Sequence, residues 1–313
     1  MFDFLQLIAG LIVLLYSGHY LVKGGVQLAQ YLKVSRLVIG VTVVSFGTSA
    51  PELIVSVNAA LAGHPDISVG NVVGSNISNI ALVLAVSAMI LPIPVRSNSL
   101  KIDWPIMMIA SLMLYFFTIN LELNFFEGLL FFVLLIVFIT LSIVRSRKKD
   151  KALLLEEKNE KLLPLWQALV ILVLSAAGLV FGANWLVEGA SSIALRMGVS
   201  ERVISVSLIA FGTSVPELAT SGIAAIKKES DISIGNIIGS NIFNIFGVLG
   251  VTGMVTTIPV NQNLVFVDIF WMLGISVLLF LLILPLKGGI LKRWKGLLLF
   301  LVYASYIILL YTA

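Results

Sequence analysis

The chain has 313 residues, 59% of them hydrophobic and 12% charged, with a formal net charge of +4 and a mean hydropathy of +1.08. A soluble domain carries about 25% charged and about 45–50% apolar residues, so the composition excludes a soluble globule and points to a polytopic membrane protein. The absence of cysteine excludes disulfides, thiolate metal sites and cysteine nucleophiles, and the two histidines, His19 and His64, are too few for a histidine-rich metal site.

Ten apolar spans are expected, each of about 17–28 residues, on the requirement of roughly 20 residues to cross a hydrocarbon core. The first, about 4–24, lacks a basic flank and is expected to run on as a span rather than to be a cleaved leader. The second, about 36–62, carries Ser45-Phe46-Gly47-Thr48-Ser49-Ala50-Pro51-Glu52-Leu53. The third, about 67–92, carries Gly70-Asn71-Val72-Val73-Gly74-Ser75-Asn76-Ile77-Ser78-Asn79. The fourth and fifth fall at about 103–119 and 125–144. The polar stretch from Arg145 to Lys161 reads as a solvated loop, too short for a folded calcium-binding domain. The sixth span starts near Pro164 and ends near Arg196. The seventh, about 201–226, carries Ala210-Phe211-Gly212-Thr213-Ser214-Val215-Pro216-Glu217-Leu218, and the eighth, about 232–257, carries Gly235-Asn236-Ile237-Ile238-Gly239-Ser240-Asn241-Ile242-Phe243-Asn244. The ninth and tenth fall at about 264–285 and 296–312.

The motifs of spans two and three recur in spans seven and eight at a constant offset of 165 residues, with 20 of 35 positions identical between 45–79 and 210–244. The chain is therefore two homologous halves: residues 1–144, a linker at 145–163, and residues 164–313. With the N-terminus outside, 18 of the 20 basic residues fall in inside loops and only Arg196 and Arg202 fall outside. That asymmetry places both termini outside and the central loop in the cytoplasm. Five spans is an odd number, so the second half inserts upside down. The expected fold is an all-α polytopic membrane protein, with ten transmembrane helices in two inverted five-helix repeats.

Glu52 and Glu217 lie inside apolar spans beside a glycine and a proline, which suggests helices broken at membrane depth. A buried carboxylate is a functional-site candidate by default. No basic residue occurs at that depth, so the neutralising partner is a bound cation or protons. The surrounding donors are all oxygens: Thr48, Ser49, Thr213, Ser214, Ser75, Ser240, the amides of Asn79 and Asn244, and carbonyls near Ser45 and Ala210. Hard oxygen donors select alkali or alkaline-earth ions, and calcium suits six to eight of them. Other repeated residues have blander readings. Gly70, Gly74, Gly235 and Gly239 serve close helix packing. Asn71, Asn76, Asn236 and Asn241 stay open between ligands and interhelical hydrogen bonds. Asp66 and Asp231 are expected as helix N-caps, and Asp103 and Asp268 as interfacial anchors.

Gly-Thr-Ser-x-Pro-Glu at 47–52 and 212–217, each followed by Gly-Asn-x-x-Gly-Ser-Asn, resembles the α-repeats of the calcium/cation antiporter superfamily, and is most similar to the prokaryotic sodium/calcium exchangers. The resemblance implies electrogenic exchange of about three sodium ions for one calcium by alternating access, with no ATP, no cofactor and no enzymatic step. By position it implies calcium held by Glu52, Glu217, Thr48 and Thr213. It implies sodium sites from Ser45, Ser49, Ser75, Ala210, Ser214 and Ser240 with the same two glutamates, and Asn79 and Asn244 as accessory polar groups. Protons are expected to compete at the glutamates. Asn244 stands where several relatives, including potassium-dependent ones, carry an aspartate, which favours potassium independence. The expected partners are the transported ions and the bilayer, with no nucleic acid, and the expected functional unit is a monomer. The alternatives are a proton/calcium or other cation antiporter and, further off, a cation channel.

Overall fold

A chain in hydrocarbon finds no water to bond its N–H and C=O groups, so it closes those bonds within helices. The computed structural model describes residues 2–97, 99–149, 162–198, 210–284 and 289–312. In chain order the helices are α1 (Phe2–Leu32), α2 (Arg36–Thr48), α3 (Ala50–Leu61), α4 (Asp66–Ile90), α5 (Ser99–Thr118), α6 (Phe125–Lys149), α7 (Leu165–Arg196), α8 (Ala210–Thr213), α9 (Val215–Ile226), α10 (Ser230–Val255), α11 (Leu264–Ile283) and α12 (Arg293–Thr312). Among the described residues eight helices are long and apolar enough to cross a membrane alone. The pair α2–α3, bent by 45°, makes a ninth. The expected seventh span reaches the described residues only from 210 onward, and its first nine residues lie outside them.

Several boundaries differ from expectation. Helix α1 does not stop at Lys23-Gly24-Gly25 but runs on to Leu32. Gly25 packs against Val44 and Ile39, and Gly24 against Leu172, so tertiary contact holds the helix where propensity would end it. Helix α6 absorbs Arg145 to Lys149, where positive charge near a helix C-terminus is favourable. Neither Asp66 nor Asp231 caps a helix. Asp66 lies in the first turn of α4 behind Pro65, and Asp231 pairs with Arg96 at 2.8 Å. The chain is mostly helical, as expected, and its connections add two short antiparallel ribbons. β1 (Ile93–Val95) pairs with β4 (Gly289–Leu291), and β2 (Glu122–Leu123) with β3 (Ile258–Pro259). Chain leaving a helix has free backbone groups that a short ladder satisfies.

Helices α4 and α10 form the interior. Their spans are 78% and 89% buried, against 17–39% for the other long helices. Small residues make this possible. A Cβ on Gly235 would meet the Leu37 carbonyl at 2.7 Å, and one on Gly239 the Val41 carbonyl at 2.5 Å. Each interior helix carries a π-helical stretch, Asn79–Leu84 in α4 and Asn244–Leu249 in α10. Such widened turns are frequent at functional sites. Helices α5, α6, α11 and α12 share the central apolar cluster. Helices α1 and α7 pack into a second cluster with parts of α2, α9 and α10, and they make the most extensive helix pair among the described residues. Their backbones touch through Gly10, Gly182 and Gly189. Gln6–Glu188 at 2.6 Å and Asp3–Arg196 at 2.7 Å tie one end of the pair, and Gln27 accepts from the Leu163 N–H at 3.0 Å at the other.

The glycine notches set a measurable limit. Gly239→Ala forces the α2–α10 contact apart and lowers stability by about 1–3 kcal/mol, the usual cost of overpacking. Gly274→Ala, on an exposed face with no neighbour within 4 Å, leaves it within about 0.5 kcal/mol. Thermal unfolding of the two variants in detergent checks the difference.

Candidate functional site

The two repeated motifs form two helix breaks. Helix α2 ends at Thr48, Ser49 has φ −88° and ψ 9°, and α3 restarts with Pro51 in its first turn. Helix α8 ends at Thr213, Ser214 has φ −88° and ψ −1°, and α9 restarts with Pro216. Proline suits a helix start because its missing N–H is one the first turn leaves unpaired anyway. It also leaves the carbonyls of Gly47 and Gly212 without their i+4 donors. Glu52 and Glu217 each sit in the first turn after the break, where the positive end of the helix dipole favours negative charge.

Both carboxylates are fully buried, as are Thr48, Ser49, Ser214, Ser240, Asn79 and Asn244; Ser45 and Ser75 are 1% and 4% exposed. Thr213 is half-buried, and Ala210 is the first described residue of α8, its backbone helical. The structure brings the two motifs together. Ser49 Oγ, of the first, donates to Glu217 Oε1, of the second, at 3.1 Å. Thr48 and Ser240 lie beside the same carboxylate, Ser75 lies beside Glu52, and the two carboxylates are within electrostatic reach of each other. Thr48 Oγ1 is 3.0 Å from Asn236 Oδ1, 3.2 Å from the Ser45 carbonyl and 3.3 Å from Ser240 Oγ. With one hydrogen it donates to one of them at a time. The Ser45 carbonyl also accepts the Ser49 N–H at 2.9 Å, so it is not the open carbonyl expected at the break. Gly47, four residues before Pro51, is the position that loses its donor.

What stands out is how many oxygens lack a partner. Both Glu52 oxygens, Glu217 Oε2, Ser214 Oγ and the Oδ1 atoms of Asn79 and Asn244 are buried without a hydrogen bond. Buried polar groups are normally paired. No basic side chain among the described ion pairs reaches either carboxylate. Two like charges about 4 Å apart repel by about 4 kcal/mol at an effective dielectric of 20. A desolvated cation among these oxygens would relieve both the repulsion and the missing bonds. Among the described residues no cluster of three or more His, Cys, Asp or Glu side chains could hold a metal ion; the donor set is two carboxylates with hydroxyls and amides. A cavity of about 370 Å³ lies elsewhere, lined by Phe266, Trp271, Gly274 and their neighbours, with no ionisable group.

Around these groups runs a set of contacts that repeat at the 165-residue offset. Asn71 Nδ2 donates to Ser56 Oγ at 3.1 Å and Asn236 Nδ2 to Ser221 Oγ at 3.0 Å. Ser68 and Ser233 donate to the Ser56 and Ser221 carbonyls, each at 3.1 Å. Asn76 and Asn241 donate to each other's backbone carbonyl at 3.2 and 3.4 Å. The four asparagines left open by sequence are thus interhelical hydrogen-bonders, with Asn236 also facing Thr48. Sequence reasoning missed Ser56 and Ser221, although their identity at the repeat offset was a visible signal. It also missed Met107 and Met272, whose sulfurs face Asn241 and Asn76 at 3.5 and 3.7 Å and which are likewise identical at the repeat offset.

Comparison with known proteins accords with this site. A profile of the family described as sodium/calcium exchanger protein matches residues 2–144 and 167–312. The putative antiporter CaxA of Alkalimonas amylolytica is 38% identical over 98% of both chains, and the sodium/calcium exchanger MaX1 of Methanosarcina acetivorans is 33% identical over 99% of this chain and 98% of its own. The solved structure of the sodium-calcium exchanger NCX_Mj soaked with zero Na+ and Ca2+ superposes with a TM-score of 0.84 at 32% identity, over 98% of both chains. Twin broken helices with facing carboxylates, and likeness along the full length, lead to one conclusion: this multi-pass membrane protein belongs to the sodium/calcium exchanger family.

Proposed function

We propose that the chain is a secondary antiporter that exchanges about three sodium ions for one calcium by alternating access, as the family resemblance implies. The observation that carries this reading is the pair of fully buried carboxylates, one from each homologous half, with three of their four oxygens unpartnered. Glu52 and Glu217 with Thr48 and Thr213 hold calcium. Ser49, Ser75, Ser214 and Ser240 with the carbonyls of Ser45 and Ala210 complete the sodium sites. A sodium ion at the Ser45 carbonyl takes the acceptor position that the Thr48 hydroxyl otherwise uses. Two carboxylates balance one Ca²⁺ and leave three Na⁺ one charge in excess, so exchange is electrogenic.

The architecture proposed for this cycle is ten helices in two inverted five-helix repeats, residues 1–144 and 164–313, joined by a cytoplasmic linker at 145–163 with both termini outside. The contacts between connections support it. Under this topology Arg36–Glu229, Arg96–Asp231 and the β1–β4 ribbon all join inside connections, while Asp3–Arg196 and the β2–β3 ribbon join outside ones. A missed span would put such partners on opposite faces. Helices α1 and α7, closely paired through backbone contacts and sharing a second apolar cluster with parts of α2, α9 and α10, are the element proposed to move against the rest.

Three outcomes follow. An outward sodium gradient drives ⁴⁵Ca uptake into proteoliposomes, and Glu52→Gln or Glu217→Gln lowers the rate at least about 100-fold, at or beyond the upper end of the roughly 10–100-fold cost of losing a mere outer-shell partner. Uptake that ignores sodium and follows a pH gradient would replace sodium by protons as the coupling ion, and calcium flux without any counter-ion would indicate a channel. An inside-positive potential accelerates the sodium-driven uptake, because one net positive charge leaves the vesicle per cycle. Since the chain has no cysteine, single replacements report topology cleanly: an impermeant maleimide labels Glu122→Cys in intact cells and Lys292→Cys only after lysis.

A further inference from the structure

The amides between the two halves form a chain of hydrogen bonds whose direction is set by two sulfurs. Met272 Sδ lies 3.7 Å from Asn76 Nδ2, and Met107 Sδ lies 3.5 Å from Asn241 Nδ2. A thioether can accept a hydrogen bond and never donates one, so it turns the amide nitrogen toward itself. The Asn241 and Asn76 carbonyls offer those same nitrogens a second acceptor, at 3.2 and 3.4 Å. Both hydrogens of each nitrogen are then used, and each Oδ1 points the other way. There Asn76 Oδ1 accepts from Asn244 Nδ2 at 3.1 Å, and Asn241 Oδ1 accepts from Asn79 Nδ2 at 3.0 Å. With their nitrogens held, Asn79 and Asn244 keep their Oδ1 atoms unpartnered and buried. Each stands four residues beyond the serine that borders a carboxylate, Ser75 or Ser240, and so on the same helix face one turn along. The residues from Asn244 to Leu249 also pack against the Glu52 helix α3, and those from Asn79 to Leu84 against the Glu217 helix α9.

We propose that Met107, Met272, Asn76 and Asn241 are positioning residues for the transported cation: through these bonds they hold Asn79 and Asn244 with the carbonyl oxygen, never the amide nitrogen, turned toward the carboxylate pair. The proposal rests on the exchanger reading of that site. A flipped amide would aim N–H groups at a cation and repel it. The held amide adds oxygen donors without adding charge, which keeps the carboxylates at two. Sulfur is what makes the arrangement directional, since a hydroxyl or amide at 107 or 272 could donate and permit either orientation.

The test uses equilibrium ⁴⁵Ca binding to the detergent-purified protein and ⁴⁵Ca uptake in proteoliposomes. Wild-type protein without sodium-displaceable calcium binding sinks the exchanger reading, and this proposal with it. Given wild-type binding, Asn76→Leu removes the acceptor for Asn244 and raises the calcium Kd and KM about tenfold, the low end of the cost of losing a group that orients a metal ligand. Adding Asn244→Asp to Asn76→Leu brings both values back to within about threefold of Asn244→Asp alone, because a carboxylate presents oxygen in either orientation. An unchanged calcium affinity in Asn76→Leu overturns the proposal. So does a loss that Asn244→Asp fails to repair, since that marks Asn76 as a packing residue only. Where Asn76→Leu does not give a folded, monodisperse protein, Met272→Gln carries the same test: it keeps the volume and introduces a donor. It weakens calcium binding about threefold, with repair by Asn244→Asp, and an unchanged Kd overturns the proposal equally.

Discussion

Two fully buried acidic side chains, with no basic partner among the described ion pairs, are the constraint on which the rest of this molecule depends. Glu52 and Glu217 have no exposed surface and leave three oxygens without a hydrogen bond. An arrangement of that kind is costly unless a cation or protons neutralise it. The sequence around each carboxylate reads as a set of accommodations to it. The proline breaks the helix and opens a carbonyl, the restarted helix directs its positive end at the acid, and the hydroxyls of Thr48, Ser49, Ser75 and Ser240 supply neutral oxygens close by.

Holding two broken helices together requires rigid surroundings, which α4 and α10 provide. The glycines of α10 admit neighbouring backbone to within contact, and the asparagines of both helices clasp each other across the halves. The clasp is reciprocal to the residue: each donor–acceptor pair in one direction has its counterpart 165 residues on. Repetition of this kind lets one short motif build both walls of the site. At the periphery α1 and α7 run side by side, with exposed apolar residues on their outer faces.

The halves are not equivalent, however. Arg36 pairs with Glu229 at 2.6 Å and Arg96 with Asp231 at 2.8 Å, clipping α2 and the β1 connection to the start of α10. At the repeat offset Arg96 corresponds to Asn261, Asp231 to Asp66 and Glu229 to His64, so the Arg96–Asp231 pair has no charged counterpart at the other end. Each such pair is worth no more than about 1 kcal/mol when partly exposed. An imbalance even of that size shifts the populations of any two conformations that differ in this pair by several-fold.

Read alone, the chain revealed its membrane character, its duplication, the two breaks and the two acids, because hydropathy, repeat offset and the chemistry of Gly-Thr-Ser-x-Pro-Glu are all written along one dimension. It also led to the family. It failed where the outcome depended on which segments meet. The extra turns of α1 exist because Gly25 rests on Val44 and Ile39. Asp231 became an ion-pair partner instead of a cap because the Arg96 connection lies against it. The ribbons β1–β4 and β2–β3 join connections far apart in sequence. Whether Asn76 and Asn241 were ligands or struts could not be read from their identity, since an amide serves either role. Only the docking of α4 against α10 decided it, by placing a methionine sulfur and a facing carbonyl at each nitrogen and so settling which end of the next amide is left unpartnered.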